Sequence, residues 1–306
     1  MANLGLIAAT LLPVFLLIVI GAILRRAEFP AAGFWPQLEQ LTYYLLFPAL
    51  LIHTLATADV DVARIGPMAL AVALSLGSVS LILLGLRRQL PVDQPGFTSV
   101  FQGGIRFNTY LGVAIAFGLF GAPGAAVAAL IMALKIPLIN LLCVAVLAWY
   151  AGGRVSAGGV FRSLIRNPLI LACIAGISLN LSGIGLPLGS GRVLEIIGSA
   201  ALPLGLMTVG AGLSLRTTGA QAAAIGLSSL VKLAALPALA WGWAVAVGLH
   251  PLETQLLVMF AALPTAPAGY ILARQMGGDH RLLATLLTAQ TAAAALTLPL
   301  WLLLVA

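Results

Sequence analysis

The sequence predicts an all-α polytopic membrane protein of ten transmembrane helices in two inverted five-helix repeats. Three observations carry that expectation. Of 306 residues, 61% are hydrophobic and 8% are charged, whereas a soluble domain carries roughly 25% charged residues. Ten mostly apolar segments can be cut from the chain, each near the roughly 20 residues a bilayer crossing needs. Two of them, the fourth and the ninth, are interrupted by polar and helix-breaking residues in matching places of the two halves. This composition excludes a soluble enzyme, a secreted disulfide scaffold and a disordered chain. The alternation of an outer-membrane barrel is absent.

The segments run over 4–24, 37–57, 64–86, 97–119, 123–149, 167–182, 191–213, 220–248, 254–276 and 281–305. The first has no basic stretch before it and is followed by Arg25 and Arg26. A cleaved signal peptide has the opposite charge order, so this segment reads as a retained span. Glu39 and Glu195 stand in the first turns of segments 2 and 7, where a negative charge suits the helix dipole. Arg192 and Glu195 are three apart and can pair on one face. Tyr43 and Tyr44 suit an interfacial belt or a cavity wall. Gly121, Ala125, Ala129 and Ala133 recur every four residues, as closely packed membrane helices require. Cys143 and Cys173 fall inside segments 5 and 6 and read as small buried hydrophobes rather than a disulfide or metal pair.

Ten segments divide into a first repeat over 1–150, a connector over 151–166 and a second repeat over 167–306. An odd number of spans per repeat makes the second enter the membrane inverted. Short echoes support the division. Leu45-Leu46-Phe47-Pro48-Ala49-Leu50 in segment 2 answers Ala201-Leu202-Pro203-Leu204-Gly205-Leu206 in segment 7. Lys135-Ile136-Pro137-Leu138 in segment 5 answers Thr297-Leu298-Pro299-Leu300 in segment 10. Orientation follows from the basic residues. Alternate loops put Arg25, Arg26, Arg87, Arg88, Arg154, Arg162, Arg166, Arg216, Arg274 and Arg281 on one side, against Arg64 and Arg192 on the other. The richer side is cytoplasmic, which leaves both termini outside. Orientation and contact with anionic lipid account for the net charge of +7 without nucleic acid.

Segment 4 reads Phe101-Gln102-Gly103-Gly104-Ile105-Arg106-Phe107-Asn108-Thr109-Tyr110-Leu111-Gly112. Segment 9 reads Ala261-Ala262-Leu263-Pro264-Thr265-Ala266-Pro267-Ala268-Gly269-Tyr270. Pro264 and Pro267 each remove a backbone donor and clash with the carbonyl four residues earlier. Asn108 and Thr109 compete for backbone groups. Unwound backbone survives at this depth only where protein or a cavity covers it. Paired interruptions in corresponding spans point to a transport site; a proline kink is the plainer alternative.

Three basic residues lie away from the loops: Arg106, Lys135 and Lys232. A charge at the bilayer centre costs at least roughly 2.5–3.5 kcal/mol. Snorkelling works near helix ends, but Lys135 lies about a dozen residues, ~18 Å, from either end of its segment. Asp59, Asp61, Asp93, Glu253 and Asp279 fall in or beside loops, so no carboxylate matches these cations in depth. An anionic substrate would supply the missing charge, and half-helix N-termini would add donors. Asn140, one turn beyond Pro137, suits either the same cavity or a proline-freed carbonyl. Gln290 and Thr291 suit either interhelical hydrogen bonds or the site. His53 is near the outer end of segment 2, while His250 and His280 are loop residues. No metal-ligand cluster, GxSxG, HExxH or P-loop occurs. Neither an enzyme nor a cofactor is therefore expected.

Asn108-Thr109 with Gly112 in segment 4 is the most specific of several recognisable pieces. Others are Leu263-Pro264-Thr265-Ala266 through Ala273-Arg274-Gln275, and Pro48 after Leu45-Leu46-Phe47. On these the chain resembles the auxin efflux carrier family over nearly its whole length. The bacterial members of that family are small permeases for dicarboxylates such as malate or malonate. The resemblance implies a scaffold of helices 1, 2, 6 and 7, a transport domain of helices 3–5 and 8–10, and crossing broken helices 4 and 9. It also implies that the substrate carboxylate meets Asn108 and Thr109, with Lys135 or Asn140 from helix 5. The connector, with Arg154, Arg162 and Arg166, is short where plant members have a long regulatory loop. Lys135 stands where plant carriers have a neutral residue, which would shift selectivity toward a second negative charge.

The expectation is therefore a secondary carrier in the bacterial inner membrane, moving a small organic anion by alternating access. Asn108 and Thr109 would bind the carboxylate, Arg106, Lys135 and Lys232 would set the charge preference, and Pro264, Thr265 and Pro267 would form the second break. The expected partners are the anion and membrane lipid; a homodimer is compatible with such a chain. A passive anion channel and a sodium-coupled bile-acid-type symporter are the rival readings.

Overall fold

The computed structural model describes residues 4–31, 33–58, 62–151, 167–187, 189–213 and 221–306. Among them all regular structure is helical. In chain order the helices are α1 Leu4–Arg26, α2 Phe34–Leu41, α3 Phe47–Ala56, α4 Ile65–Gly85, α5 Gln94–Ile105 and α6 Thr109–Tyr150. They continue as α7 Pro168–Leu181, α8 Ser190–Ser199, α9 Ala201–Ala211, α10 Ala222–Leu230 and α11 Leu236–Val247. The last three are α12 Pro251–Ala262, α13 Ala268–Met276 and α14 His280–Leu304. Asp59, Asp61, Arg154, Arg162, Arg166, Arg216 and nearly all of the connector lie outside the described residues.

Among the described residues six stretches are long and apolar enough to cross a membrane: Leu4–Arg26, Ile65–Gln89, Gln94–Tyr150, Ser190–Ala211, Ala222–Val247 and His280–Leu304. The sequence suggested ten segments, and the difference has local causes. Gln94–Tyr150 holds two of them, segments 4 and 5. Its 57 residues would reach ~85 Å as one straight helix, far beyond a core of about 30 Å. Helical geometry fails there at Gly121, with φ 62° and ψ −150°, a region essentially restricted to glycine. Segments 6 and 9 appear as the shorter apolar helices Pro168–Leu181 and Pro251–Ala262. Segment 2 is α2 and α3 joined by a π-turn over Thr42–Leu46, just before Pro48.

A second π-turn, Val231–Ala235, joins α10 to α11 just before Pro237. The carbonyl of Leu233 would take its bond from residue 237, which has no N–H. The indole Nε1 of Trp301 donates to it instead, at 2.7 Å. Helix starts carry side-chain caps: Asp93 for α5, Asn167 for α7 and Asp279 for α14. Arg192 and Glu195 form the expected pair at 2.8 Å, and Arg64 reaches Glu253 at 3.3 Å. Cys143 and Cys173 are free and buried, as their apolar settings suggested.

The helices pack in two neighbourhoods. In one, α1 lies on α9, and α3 lies on α7 and α8. In the other, α4, α11 and α12 pack in sequence, while α5 and α6 pack together and against α14 and α12 respectively. The α1–α9 contact is the closest. A Cβ on Gly21 would overlap the backbone of Met207, and one on Gly210 would overlap the backbone of Ile18. Small residues let membrane helices approach to backbone contact, which lipid-like side chains alone would not favour.

Candidate functional site where two interrupted helices meet

The two sequence interruptions become two real breaks. The first spans 106–108, between α5 and α6, and the second spans 263–267, between α12 and α13. Arg106 is extended at φ −69° and ψ 157°, and Asn108 at φ −81° and ψ 106°. Leu263 is extended at φ −64° and ψ 146°, as the residue before a proline prefers. The breaks touch: the backbone N–H of Asn108 donates to the carbonyl of Pro264 at 2.9 Å. Gly112 supports that approach, because a Cβ there would stand 2.7 Å from the Phe260 ring.

Asn108 is 1% exposed. Its Oδ1 caps α6 by accepting from the Leu111 N–H at 3.2 Å. That bond orients the amide and leaves Nδ2 as a buried donor without a partner among the described residues. Thr265 Oγ1 and Gln102 Nε2 are also buried without partners among the described residues. Arg106, 7% exposed, donates from Nε to Gln102 Oε1 at 3.0 Å. Thr109 opens α6 and is half-buried. Pro267 opens α13 from its N-cap position. Next to Thr109, Tyr110 stacks edge-on with Phe47 of α3 at 5.0 Å and packs on Gly205 of α9. The site therefore sits where the α3–α9 neighbourhood meets the other.

Gln290 ties α5 to the second break. Its Oε1 accepts from the Thr265 N–H at 2.9 Å, and its Nε2 donates to the carbonyl of Gly103 at 3.1 Å. A single side chain of α14 thus serves backbone groups from both α5 and the second break. Replacing Gln290 with methionine keeps the volume and orphans both groups. The expected cost is about 1–2 kcal/mol, since hydrogen bonds in membrane proteins are worth less than isolated-pair values suggest. A lowered apparent Tm in detergent checks this; an unchanged Tm would show that the tie is not needed.

Lys135 and Lys232 are 2% and 0% exposed. Lys135 Nζ stands 4.9 Å from the centroid of the Phe107 ring in the first break, and donates to the carbonyl of Phe260 at 3.4 Å. Lys232 Nζ donates to the carbonyl of Ala261 at 2.8 Å. Asn140 is half-buried on α6, and no hydrogen bond joins it to the breaks among the described residues. The geometry thus brings together Arg106, Asn108, Thr109, Gly112, Pro264, Thr265, Lys135 and Lys232. Sequence reasoning missed Gln102 and Phe107; of its two readings for Gln290, the interhelical hydrogen bonds are formed. Gln102 stands four residues before Arg106, a spacing that could have exposed it. The reach of Gln290 to α5 and to the second break has no local signal.

Three buried basic side chains, two interrupted helices and three orphaned polar atoms suit a small polar anion better than a metal. No group of three or more His, Cys, Asp or Glu that could hold a metal occurs among the described residues. Residues 6–302 match the model of a family described as membrane transport protein. A provisionally named malonate transporter of Rhizobium meliloti (strain 1021) is 28% identical over 287 residues, which is 89% of this chain and 87% of that protein. An uncharacterized transporter of Methanothermobacter thermautotrophicus (strain Delta H) is 25% identical over 297 residues, which is 95% of this chain and 96% of that protein.

Proposed function

The chain belongs to the membrane transport protein family, that of the auxin efflux carriers, and from that premise we propose a secondary carrier for a small organic anion. Its family and relatives are transporters, not enzymes, and it is an integral membrane protein. The observation that carries the substrate reading is the junction of the breaks. The Asn108 N–H holds Pro264 while the Asn108 Nδ2 is left to donate. Beside it stand the buried Arg106 and the N-terminus of α6, the positive end of a helix dipole. A carboxylate accepts from such donors, and the malonate named for the Rhizobium relative is a dicarboxylate. Arg106, Asn108 and Thr109 form the proposed anion site, closed by Pro264, Thr265 and Pro267.

The proposed movement is alternating access. The α1, α2–α3, α7 and α8–α9 neighbourhood would serve as scaffold, and the other would move against it. Two inverted five-span repeats fit the irregularities: the π-turn precedes Pro48, and the turn between α8 and α9 precedes Pro203. The basic residues support cytoplasmic placement of the Arg25–Arg26 and Arg87–Arg88 loops, with both termini outside.

Purified protein in proteoliposomes tests this. Labelled malonate uptake is expected to saturate and to accelerate when unlabelled malonate is loaded on the far side. Uptake that fails to saturate, or unitary currents in planar bilayers, would replace the carrier with a channel. Absence of flux for every mono- and dicarboxylate tried would remove the anion reading.

A further inference from the structure

The second break leaves α12 with a specific deficit. In an unbroken helix the carbonyls of Phe260 and Ala261 accept from the N–H groups of residues 264 and 265. Residue 264 is a proline and has no N–H. The Thr265 N–H is turned away to Gln290 Oε1 at 2.9 Å. Two carbonyls at the negative end of a helix dipole are thereby left at membrane depth, where unsatisfied backbone groups are costly. Each is met by the Nζ of one buried lysine. Lys135, from α6, takes Phe260, and Lys232, from the π-turn before α11, takes Ala261. Two separate chain segments thus deliver one cation each to consecutive carbonyls of the same helix end.

We propose that Lys135 and Lys232 are positioning residues: a pair of protein-borne cations that cap the interrupted α12 and make a bound inorganic cation unnecessary there. This rests on the carrier reading only for its consequence in transport. The ammonium groups supply both things a C-terminal half-helix end requires, donors for the carbonyls and positive charge for the dipole. Lys135 also couples the two breaks, because the same Nζ faces the Phe107 ring of the first break and the Phe260 carbonyl of the second. The charge of both lysines is then directed at the protein rather than at the substrate. The helix end is fixed in position without a site that fills and empties, so transport by the native protein runs without sodium.

The test removes the cations at constant shape. In the double variant Lys135→Met/Lys232→Met the two carbonyls and the dipole remain, and a small cation becomes the available replacement. Purified wild-type and variant proteins are compared in sodium chloride and in N-methyl-D-glucamine chloride at equal ionic strength. Wild-type apparent Tm and malonate flux are expected to be the same in both salts. The variant is expected to gain about 3 °C or more in sodium, because an ion that binds only the folded state stabilises it by mass action. Its flux is expected to fall about tenfold or more without sodium and to recover at least in part with it. The loss should be equal for malonate and acetate.

A wild-type protein whose flux requires sodium would overturn the proposal. So would a double variant with wild-type flux in both salts, or a loss confined to malonate, which would place the ammonium groups on the substrate. If the double variant is inactive in both salts, Lys232→Arg decides. Retained flux there supports a charge held at the helix end, and equal inactivity overturns it. The sodium-dependent Tm needs no substrate, so it stands or falls separately from the anion reading.

Discussion

Asn108→Asp is expected to fold as the wild type does and to bind no carboxylate. The substitution separates the two ends of one side chain. An aspartate keeps the oxygen that accepts from Leu111 N–H, and with it the cap of α6. It replaces the orphaned Nδ2 by an acceptor that carries negative charge. A hydrogen bond to a charged group is worth roughly 1.5–3 kcal/mol, about 10–100-fold in affinity. Repulsion between two anions in a buried site adds to that loss. Asn108→Ala should lose the same affinity and, in addition, about 1 kcal/mol of stability from the missing cap. Arg106→Gln should weaken binding while leaving the cap alone. Ligand-induced thermal shifts with malonate measure affinity, and the melting point without ligand measures the cap. Wild-type affinity in Asn108→Asp would take this residue out of the site. An unchanged affinity in Arg106→Gln would leave the anion without its proposed counter-charge.

Gly210→Leu is expected to prevent accumulation of folded protein. The Gly210 Cα faces the backbone of Ile18, and Gly21 faces the backbone of Met207 in the same contact. A side chain at either position meets backbone atoms rather than the movable end of another side chain, so no rotamer relieves it. Separating α1 from α9 enough to admit a leucine would cost more than the ~1–3 kcal/mol of ordinary overpacking. Gly242→Leu is the control, because a Cβ there meets nothing within 4 Å. The yield of monodisperse protein by size exclusion in detergent reads the difference. Equal yields for the two variants would mean that α1 and α9 do not depend on their close approach.

Much of the architecture was legible because lipid simplifies the reading. Apolar length reports spans directly, and prolines and polar residues within a span report its breaks. The sequence placed the breaks near Asn108 and Pro264–Pro267, and they occur at 106–108 and 263–267. It placed a boundary between segments 4 and 5 near residue 121, and Gly121 carries it. Arg192 and Glu195 pair as their spacing suggested, since a contact three residues apart within a helix is a local matter. The π-turns before Pro48 and Pro237 went unread: a proline announces a missing donor, but not how the preceding turn adjusts.

The candidate site divides in the same way. Residue type alone made Arg106, Lys135 and Lys232 conspicuous, because an ionised group within a span must be accounted for. An unmatched cation in sequence, however, is unmatched only by carboxylates. The partners of Lys135 and Lys232 are main-chain carbonyls of Phe260 and Ala261, which every residue possesses and no side-chain pattern announces. Sequence by itself determined the solvent, the position of the breaks and the sign of the buried charge. Each of these depends on the composition of one stretch of chain. Tertiary structure alone decided that the breaks touch through Asn108 and Pro264, that Gln290 joins α5 to the second break, and what each lysine faces. Those are distances between residues 25 to 187 positions apart, and such distances follow from how the helices pack.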